Sequence, residues 1–312
     1  MFEYLTNRIM SSAFKGGIKI QRRDTAPSLN LQRIALFALI KAKLLKRVIF
    51  LAKAAALFSG SKGNSYYIGT SNEGVLIDAG KNCKQIELAM EAHGLSMSSI
   101  KAVFITHEHS DHCSALKVLS KKYRFDVYAS AGTLCELEKA NRLYPGTNTF
   151  EIKDSVALGN MLIERIDTPH DAAESCCYRV VAGDGKSALV ATDMGIMTPS
   201  VRQAALKSDF AVLESNHDIQ MLKMGIYPFY LKQRILSNKG HLSNAACANE
   251  LAQLVQGGTF RLMLGHLSEQ NNTPQIALAT AVNTLENAGM KYKSDFTLDI
   301  APSEITTQSV IF

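Results

Sequence analysis

Three histidines and an aspartate fall within six positions of the stretch THEHSDHC, residues 106–113. Imidazole and carboxylate together make a borderline-hard donor set, suited to Zn, Mn or Fe. His107 and His109 lie two apart and could bind one ion from an irregular loop. Asp111 and His112, on the next turn, could reach a second. The residues in front, AVFIT (Ala102–Thr106), read as a buried strand, so the donors leave its C-terminal end, where open α/β sheets bind ligands. A solvated loop without an ion would explain one histidine, but it does not explain this density.

A site for two ions needs more ligands than these four, and later strand ends offer them. His170 stands in DTPHD after an expected strand at Met161–Ile166. Asp193 stands in ATDMG after Ala188–Ala191, and His266 in MLGHLS after Phe260–Leu264. Each is weak evidence alone. Beside the HEHSDH loop they become the natural third, bridging and terminal ligands of one shared site.

The elements that must position these residues begin near Ala54. Strands are expected at Ala54–Phe58, Ser65–Gly69 and Val75–Asp78, joined by turns at SGSKGN and SNEG. Helices are expected at Cys83–His93, Ser114–Lys122 and Gly132–Leu143, with a short strand at Val127–Ala129. The second half repeats the style. Strands at Met161–Ile166, Ser175–Val181, Ala188–Ala191, Phe210–Glu214 and Phe260–Leu264 accompany helices at Ser200–Lys207, Asn244–Leu254 and Pro274–Ala288. Each half is strand-rich first and helix-rich later. Two such halves pack as face-to-face sheets with helices outside, an α/β fold of the αββα four-layer sandwich type, in a single domain over residues 54–312.

The 312 residues carry a net charge of +6, unevenly spread. Residues 1–53 hold 11 Lys/Arg against 2 Asp/Glu, which leaves the rest of the chain net −3. The body therefore has no bulk charge to gather a polyanion, and bound ions with a local basic patch would have to do so. The apolar-basic stretch Leu31–Leu51 is broken by Lys41, Lys43, Lys46 and Arg47, which fits neither an export signal nor a stable membrane insertion. We expect residues 1–53 to be an ill-ordered extension or a misassigned start; a basic amphipathic helix on a membrane surface or polyanion is the alternative. Six cysteines without a CxxC pair read as free thiols in a reducing compartment, which suggests the cytoplasm.

HEHSDH followed by His170, Asp193 and His266 resembles the metallo-β-lactamase superfamily pattern HxHxDH…H…D…H, in order and spacing, across residues 54–290. The resemblance implies that His107, His109 and His170 hold one divalent ion and that Asp111, His112 and His266 hold another, with Asp193 bridging. It also implies that Asp78, in LIDAG, supports the ligands from behind. Two ions so placed would activate a water and clamp the attacking and leaving oxygens. The antibiotic-degrading branch usually has a cysteine where Asp193 stands, so penicillin hydrolysis is not expected.

Length narrows the choice of subgroup. Only 72 residues separate Asp193 from His266, too few for an inserted β-CASP nuclease domain, and 46 follow His266, too few for the helical domain of glyoxalase II. The interval from His112 to His170 lacks the glycine-rich arm of tRNA 3′-processing enzymes. SGSKGNS (59–65), LIDAG (76–80), LESNHD (213–218), YPFYLKQRILSNKGHLSN (227–244) and LGHLSEQNN (264–272) are similar to the YycJ/WalJ-type subgroup, assigned as 5′–3′ DNA exonucleases. Lys232, Arg234 and Lys239 form a local basic patch for phosphate contacts. His241 is expected to begin a helix capped by Ser243. By analogy with related nucleases, Glu214 and His241 would protonate the departing oxygen.

The resemblance thus implies a two-metal phosphodiesterase whose partner is nucleic acid, DNA ahead of RNA. The alternatives are an RNA-directed nuclease, or a small-molecule hydrolase of the same fold cutting a thioester, lactone or cyclic phosphodiester. A di-iron redox protein is a further class, but it commonly carries a flavodoxin-like domain that this sequence lacks.

Overall fold

In this computed structural model the described residues are 51–307 and 309–312. The expectations for the basic N-terminal segment lie almost wholly outside them. Alternation of side chains along the strands decides the architecture from there on. In β1 (Lys53–Phe58), Ala54 and Ala56 enter one apolar cluster while Ala55 and Leu57 enter another. A strand that is apolar on both faces must be covered on both.

The first sheet comprises β1, β2 (Ser65–Gly69), β3 (Gly74–Ile77), β4 (Ile100–Phe104), β5 (Asp126–Ala129) and β6 (Thr149–Glu151). The second comprises β7 (Ser155–Leu158), β8 (Met161–Asp167), β9 (Cys176–Val181), β10 (Ser187–Ala191), β11 (Phe210–Glu214), β12 (Arg261–Gly265) and β13 (Thr297–Ile300). A last strand, β14 (Val310–Ile311), returns to the edge of the first sheet beside β1. The strand orders are β14-β1-β2-β3-β4-β5-β6 and β13-β12-β11-β10-β9-β8-β7.

The cluster between the sheets contains Ala54, Tyr66, Phe104, Tyr178, Val190 and Val212. Helices α1 (Cys83–Ala92), α2 (Ser110–Cys113), α3 (Leu116–Tyr123) and α4 (Ala131–Lys139) belong to the first half. Ile86 and Met90 of α1 and Leu116 and Leu119 of α3 join the outward side chains of β1 to β5 in a second cluster. Helices α5 (Pro199–Leu206), α6 (Ile219–Met224), α7 (Phe229–Ile235), α8 (Asn244–Gln256) and α9 (Pro274–Asn287) follow in the second half. Of these, α5, α8 and α9 cover the outer face of the second sheet. The result is the four-layer αββα sandwich.

The departures from expectation are local. The strand expected at Ala102–Thr106 ends at Phe104, because the Thr106 N–H donates to Asp78 Oδ1 (2.8 Å) instead of to a strand partner. Helix α8 starts at Asn244, with the Ser243 side chain accepting from the Ala246 N–H, so His241 stands before the cap and does not begin the helix. Strands β6, β7, β13 and β14 and helices α6 and α7 are not among the expected elements. Exposure explains part of this: all three residues of β6 are exposed, and β7 only half-buries alternate positions.

Candidate active site

Six of the eight histidines line up at one end of the two sheets, beside the carboxyl ends of β3, β4, β10, β11 and β12. Three of the turning points are non-glycine residues with positive φ: Asp78 (62°), Asp193 (59°) and His266 (53°). Asp and His tolerate this region better than most side chains, and here each reverses the chain just past a strand end. The HEHSDH loop continues into α2, a single turn that contains Asp111 and His112.

Gly80 fixes how that turn sits. A Cβ there would fall 1.6 Å from the Asp111 carbonyl oxygen. Asn64, in the SGSKGN turn, donates its N–H to the same carbonyl (2.7 Å) and accepts from the Gly80 N–H through its own carbonyl (2.8 Å). Its amide Nδ2 also lies 3.1 Å from His112 Nε2.

The donor atoms converge. Ligand atoms of His107, His109 and His170 all lie within 4.8 Å of one another, as do those of Asp111, His112 and His266. Asp193 joins both neighbourhoods, grouping with His107 and His112 on one side and with Glu214, His241 and His266 on the other. Buried atoms left without a hydrogen-bond partner include His107 Nε2, His266 Nε2 and Asp193 Oδ2. Buried polar atoms normally find partners, so an orphaned imidazole nitrogen in each donor group fits divalent cations.

Partners behind the histidines set which nitrogen is free. His112 Nδ1 donates to Asp78 Oδ2 (2.7 Å), leaving Nε2 facing Asp193 Oδ2 at 3.2 Å. Thr106 Oγ1 donates to the same carboxylate and lies 3.0 Å from His107 Nδ1. His170 Nδ1 donates to the Gly240 carbonyl (3.2 Å). Glu214, fully buried, accepts from His241 Nδ1 (2.7 Å) and His266 Nδ1 (3.0 Å) through one oxygen, and from the Met194 N–H (2.8 Å) through the other. This is the arrangement by which carboxylates and carbonyls orient metal-binding imidazoles.

Electrostatics point the same way. Burial opposes ionisation of Asp193, but His266 and His112 outweigh it and hold the carboxyl well below its usual range. Burial likewise opposes ionisation of Asp111, and His112 and His266 again prevail. Burial alone would neutralise His266, yet Asp193 and its other carboxylate neighbours raise it to about 10. His107 goes the other way: burial, reinforced by His112, pushes it well down, so its imidazole is neutral and its lone pair free. Several buried carboxylates thus share this corner, and cations are what they stabilise.

A polar cleft of 360 Å³ opens onto these atoms, lined among others by His109, Asp111, His170, Asp193, His241 and His266. Its far wall carries Tyr227, Leu231 and Arg234. Of the basic cluster, Arg234 pairs with Asp171, and Lys232 Nζ donates to the carbonyls of Lys223 (2.8 Å) and Gly225 (2.6 Å). His217 is buried away from the lining, with neither ring nitrogen bonded. Sequence reasoning did not pick out Thr106, Asn64 or Asn216, whose Nδ2 donates to the His266 carbonyl (3.0 Å). It also missed Ser59, whose Oγ accepts from the His266 N–H (2.7 Å). Asn64 and Ser59 do sit in the SGSKGN stretch, expected as the turn between the first two strands.

No helix among the described residues is long and apolar enough to cross a membrane. A family model described as the beta-lactamase superfamily domain matches residues 74–267. The chain is 36% identical over 259 residues to exodeoxyribonuclease WalJ of Streptococcus pneumoniae, covering 81% of this chain and 96% of that protein. It is 35% identical over 237 residues to exodeoxyribonuclease YycJ of Bacillus anthracis, covering 75% and 89%. Among solved structures, zinc-bound PqqB from Methylobacterium extorquens superposes with a TM-score of 0.61 at 15% identity, over 83% of this chain and 100% of that one. The metallo-β-lactamase fold protein YhfI from Bacillus subtilis gives 0.59 at 16% identity, over 81% and 98%. At that identity the two structures speak for the fold.

Proposed function

The chain belongs to the beta-lactamase superfamily and, within it, to the group of the WalJ and YycJ exodeoxyribonucleases, and from that premise we propose that it is a two-metal 5′–3′ exonuclease acting on DNA ends in the cytoplasm. His107, His109 and His170 would hold one divalent ion and Asp111, His112 and His266 a second, with Asp193 within reach of both. Zinc or manganese suits this donor set, and iron is also compatible with it. Bound there, such ions polarise a phosphodiester and lower the pKa of a water towards neutrality. The observation that carries the reading is the pair of three-donor clusters meeting at Asp193, with orphaned nitrogens in both.

The protein's own groups supply the rest. Asp78 and Glu214 hold His112 and His266 by their Nδ1 atoms, so each presents Nε2 to the centre. His241 reaches the cleft with Nδ1 fixed on Glu214. Burial disfavours its charged form, but Glu214 outweighs that and raises its pKa. An imidazolium kept charged beside the cleft can give its Nε2 proton to the departing oxygen. Arg234 on the cleft wall and Lys239 beyond it bind backbone phosphates. Lys232, engaged with two carbonyls, holds the segment that carries them.

The test is degradation of a 5′-phosphorylated, end-labelled DNA duplex with added Mn²⁺, comparing the wild type with Asp111→Ala. Stepwise loss of nucleotides from the 5′ end by the wild type alone is the expected result. If metal is bound and DNA stays intact, the reading fails, and RNA and then thioester substrates come next.

A further inference from the structure

Between Asp218 and Glu250 the chain has no acidic residue and four basic ones, Lys223, Lys232, Arg234 and Lys239. The middle of this stretch is apolar and faces solvent. Met224 is 85% exposed, Ile226 88%, Phe229 77% and Tyr230 73%; the next large apolar side chain among the described residues, Ile311, reaches 56%. Isolated exposed apolar residues are ordinary, but four within seven positions call for an occupant.

The segment is held in this pose. Asp218 accepts from the Met221 N–H (2.9 Å) to start α6, and the Gly225 N–H donates back to the Met221 carbonyl (2.7 Å) to end it. The Lys232 ammonium then ties α7 to the carbonyls of Lys223 and Gly225. Tyr227, Leu231 and Arg234, from the same stretch, form a wall of the catalytic cleft. The exposed patch therefore continues that wall outward. At 360 Å³ the cleft is near the lower end of the range for ligand sites, roughly 300–1,000 Å³. It has room for the reacting end of a strand, and the nucleotides behind that end must lie on its rim.

We propose that Phe229 and Tyr230, with Ile226 and Met224 beside them, form a stacking platform for the unpaired bases of the DNA strand that feeds the cleft. The proposal rests on the nuclease reading. Aromatic rings accept any base on their faces, and cationic side chains alongside follow the phosphates, the combination that gives sequence-independent single-strand binding. The charge of the segment suits this occupant: no carboxylate lies between Asp218 and Glu250, and with Arg234 paired to Asp171 and Lys232 held on two carbonyls, Lys223 and Lys239 remain for the phosphates. It also implies that a duplex end frays before it is cut, with the platform holding the opened strand.

Two readouts test this. One is equilibrium binding of a fluorescent eight-nucleotide single strand with no metal added. The other is steady-state cleavage of strands of two and eight nucleotides. Phe229→Ala with Tyr230→Ala should weaken binding of the octamer by about tenfold or more. KM for the octamer should rise by a similar factor with little change in kcat, and KM for the dinucleotide should rise less. Phe229→Trp with Tyr230→Phe, which keeps both rings, should leave binding at the wild-type level. Equal affinity and KM in wild type and double variant overturn the platform. So does a wild-type dimer in sedimentation that the double variant abolishes while strand affinity stays the same, which would assign the patch to a second copy of the chain. A wild type that neither binds nor cuts any DNA but still hydrolyses a small phosphodiester marks failure of the nuclease reading itself.

Discussion

In the first sheet three antiparallel pairs, β14·β1, β1·β2 and β2·β3, lead into three parallel ones, β3·β4, β4·β5 and β5·β6. The second sheet repeats the plan, with β7·β8, β8·β9 and β9·β10 antiparallel and β10·β11, β11·β12 and β12·β13 parallel. The two sheets load the site differently. The first places four donors within six residues after β4 and braces them from within its own sheet, through Asp78, Thr106 and Asn64. The second contributes one donor each after β8, β10 and β12, separated by tens of residues; Glu214 ties the last two together through the Met194 N–H and His266, while His170 rests on the Gly240 carbonyl. One half is a preassembled cassette. The other is correct only when the whole sheet is folded.

The contrast makes Asp193→Ala the most damaging single change, because Asp193, from the second half, groups with His107 and His112 of the first as well as with Glu214, His241 and His266 of its own. We expect turnover to fall by more than about a thousandfold and bound metal to drop from two ions towards one, read by elemental analysis beside the DNA assay. A variant that keeps both ions would show that the halves do not meet at this carboxylate. His241→Ala comes next. It should lower kcat by roughly a hundred- to ten-thousandfold, the usual range for losing a general acid, while both ions stay bound. Loss of metal in that variant would move His241 from proton donor to ligand.

Within the cassette, Gly80→Ala should cost about 3 kcal/mol, since an added Cβ has to displace the Asp111 backbone. Urea unfolding measures it, and an unchanged midpoint would mean that the loop is less tightly set than it looks. Asp78→Asn should be milder, weakening metal affinity by roughly ten- to a hundredfold through His112 while the fold persists. Competition with a chelator reads it.

How far each half was legible follows the same contrast. The cassette is local in sequence, so THEHSDH could be read with its chemistry before any fold was assumed. Ser65–Gly69 and Phe210–Glu214 have the same ends in the structure as in the sequence reading, because turn residues bound them. His170, Asp193 and His266 could be singled out only as polar residues after strands, and only the cassette made them a set. Other parts left no signal. Thr106 ends β4 by a hydrogen bond to a residue 28 positions away. Lys232 reads as a phosphate ligand until its ammonium is seen on two carbonyls. β6 has no buried face to create a pattern. Long-range hydrogen bonds and exposed edges do not leave a periodic imprint.

The smallest expected effect concerns a second-half histidine outside the cleft. Burial depresses His217 to about 4, and nearby Glu214 only partly offsets this. Its folded pKa thus lies below the ordinary value near 6.5, so the unfolded chain binds the proton first. The stability tied to the neutral ring is complete above about pH 6.5 and is lost as pH falls towards 4. Other site groups titrate in the same range, so the informative quantity is the difference between the wild type and His217→Gln, which removes this titration alone. Measured on metal-free protein by urea unfolding, that difference should shift in favour of the variant by on the order of 2 kcal/mol between pH 7 and pH 4. A difference that stays flat would mean that water reaches His217 and that this part of the second half is looser than the cassette it faces.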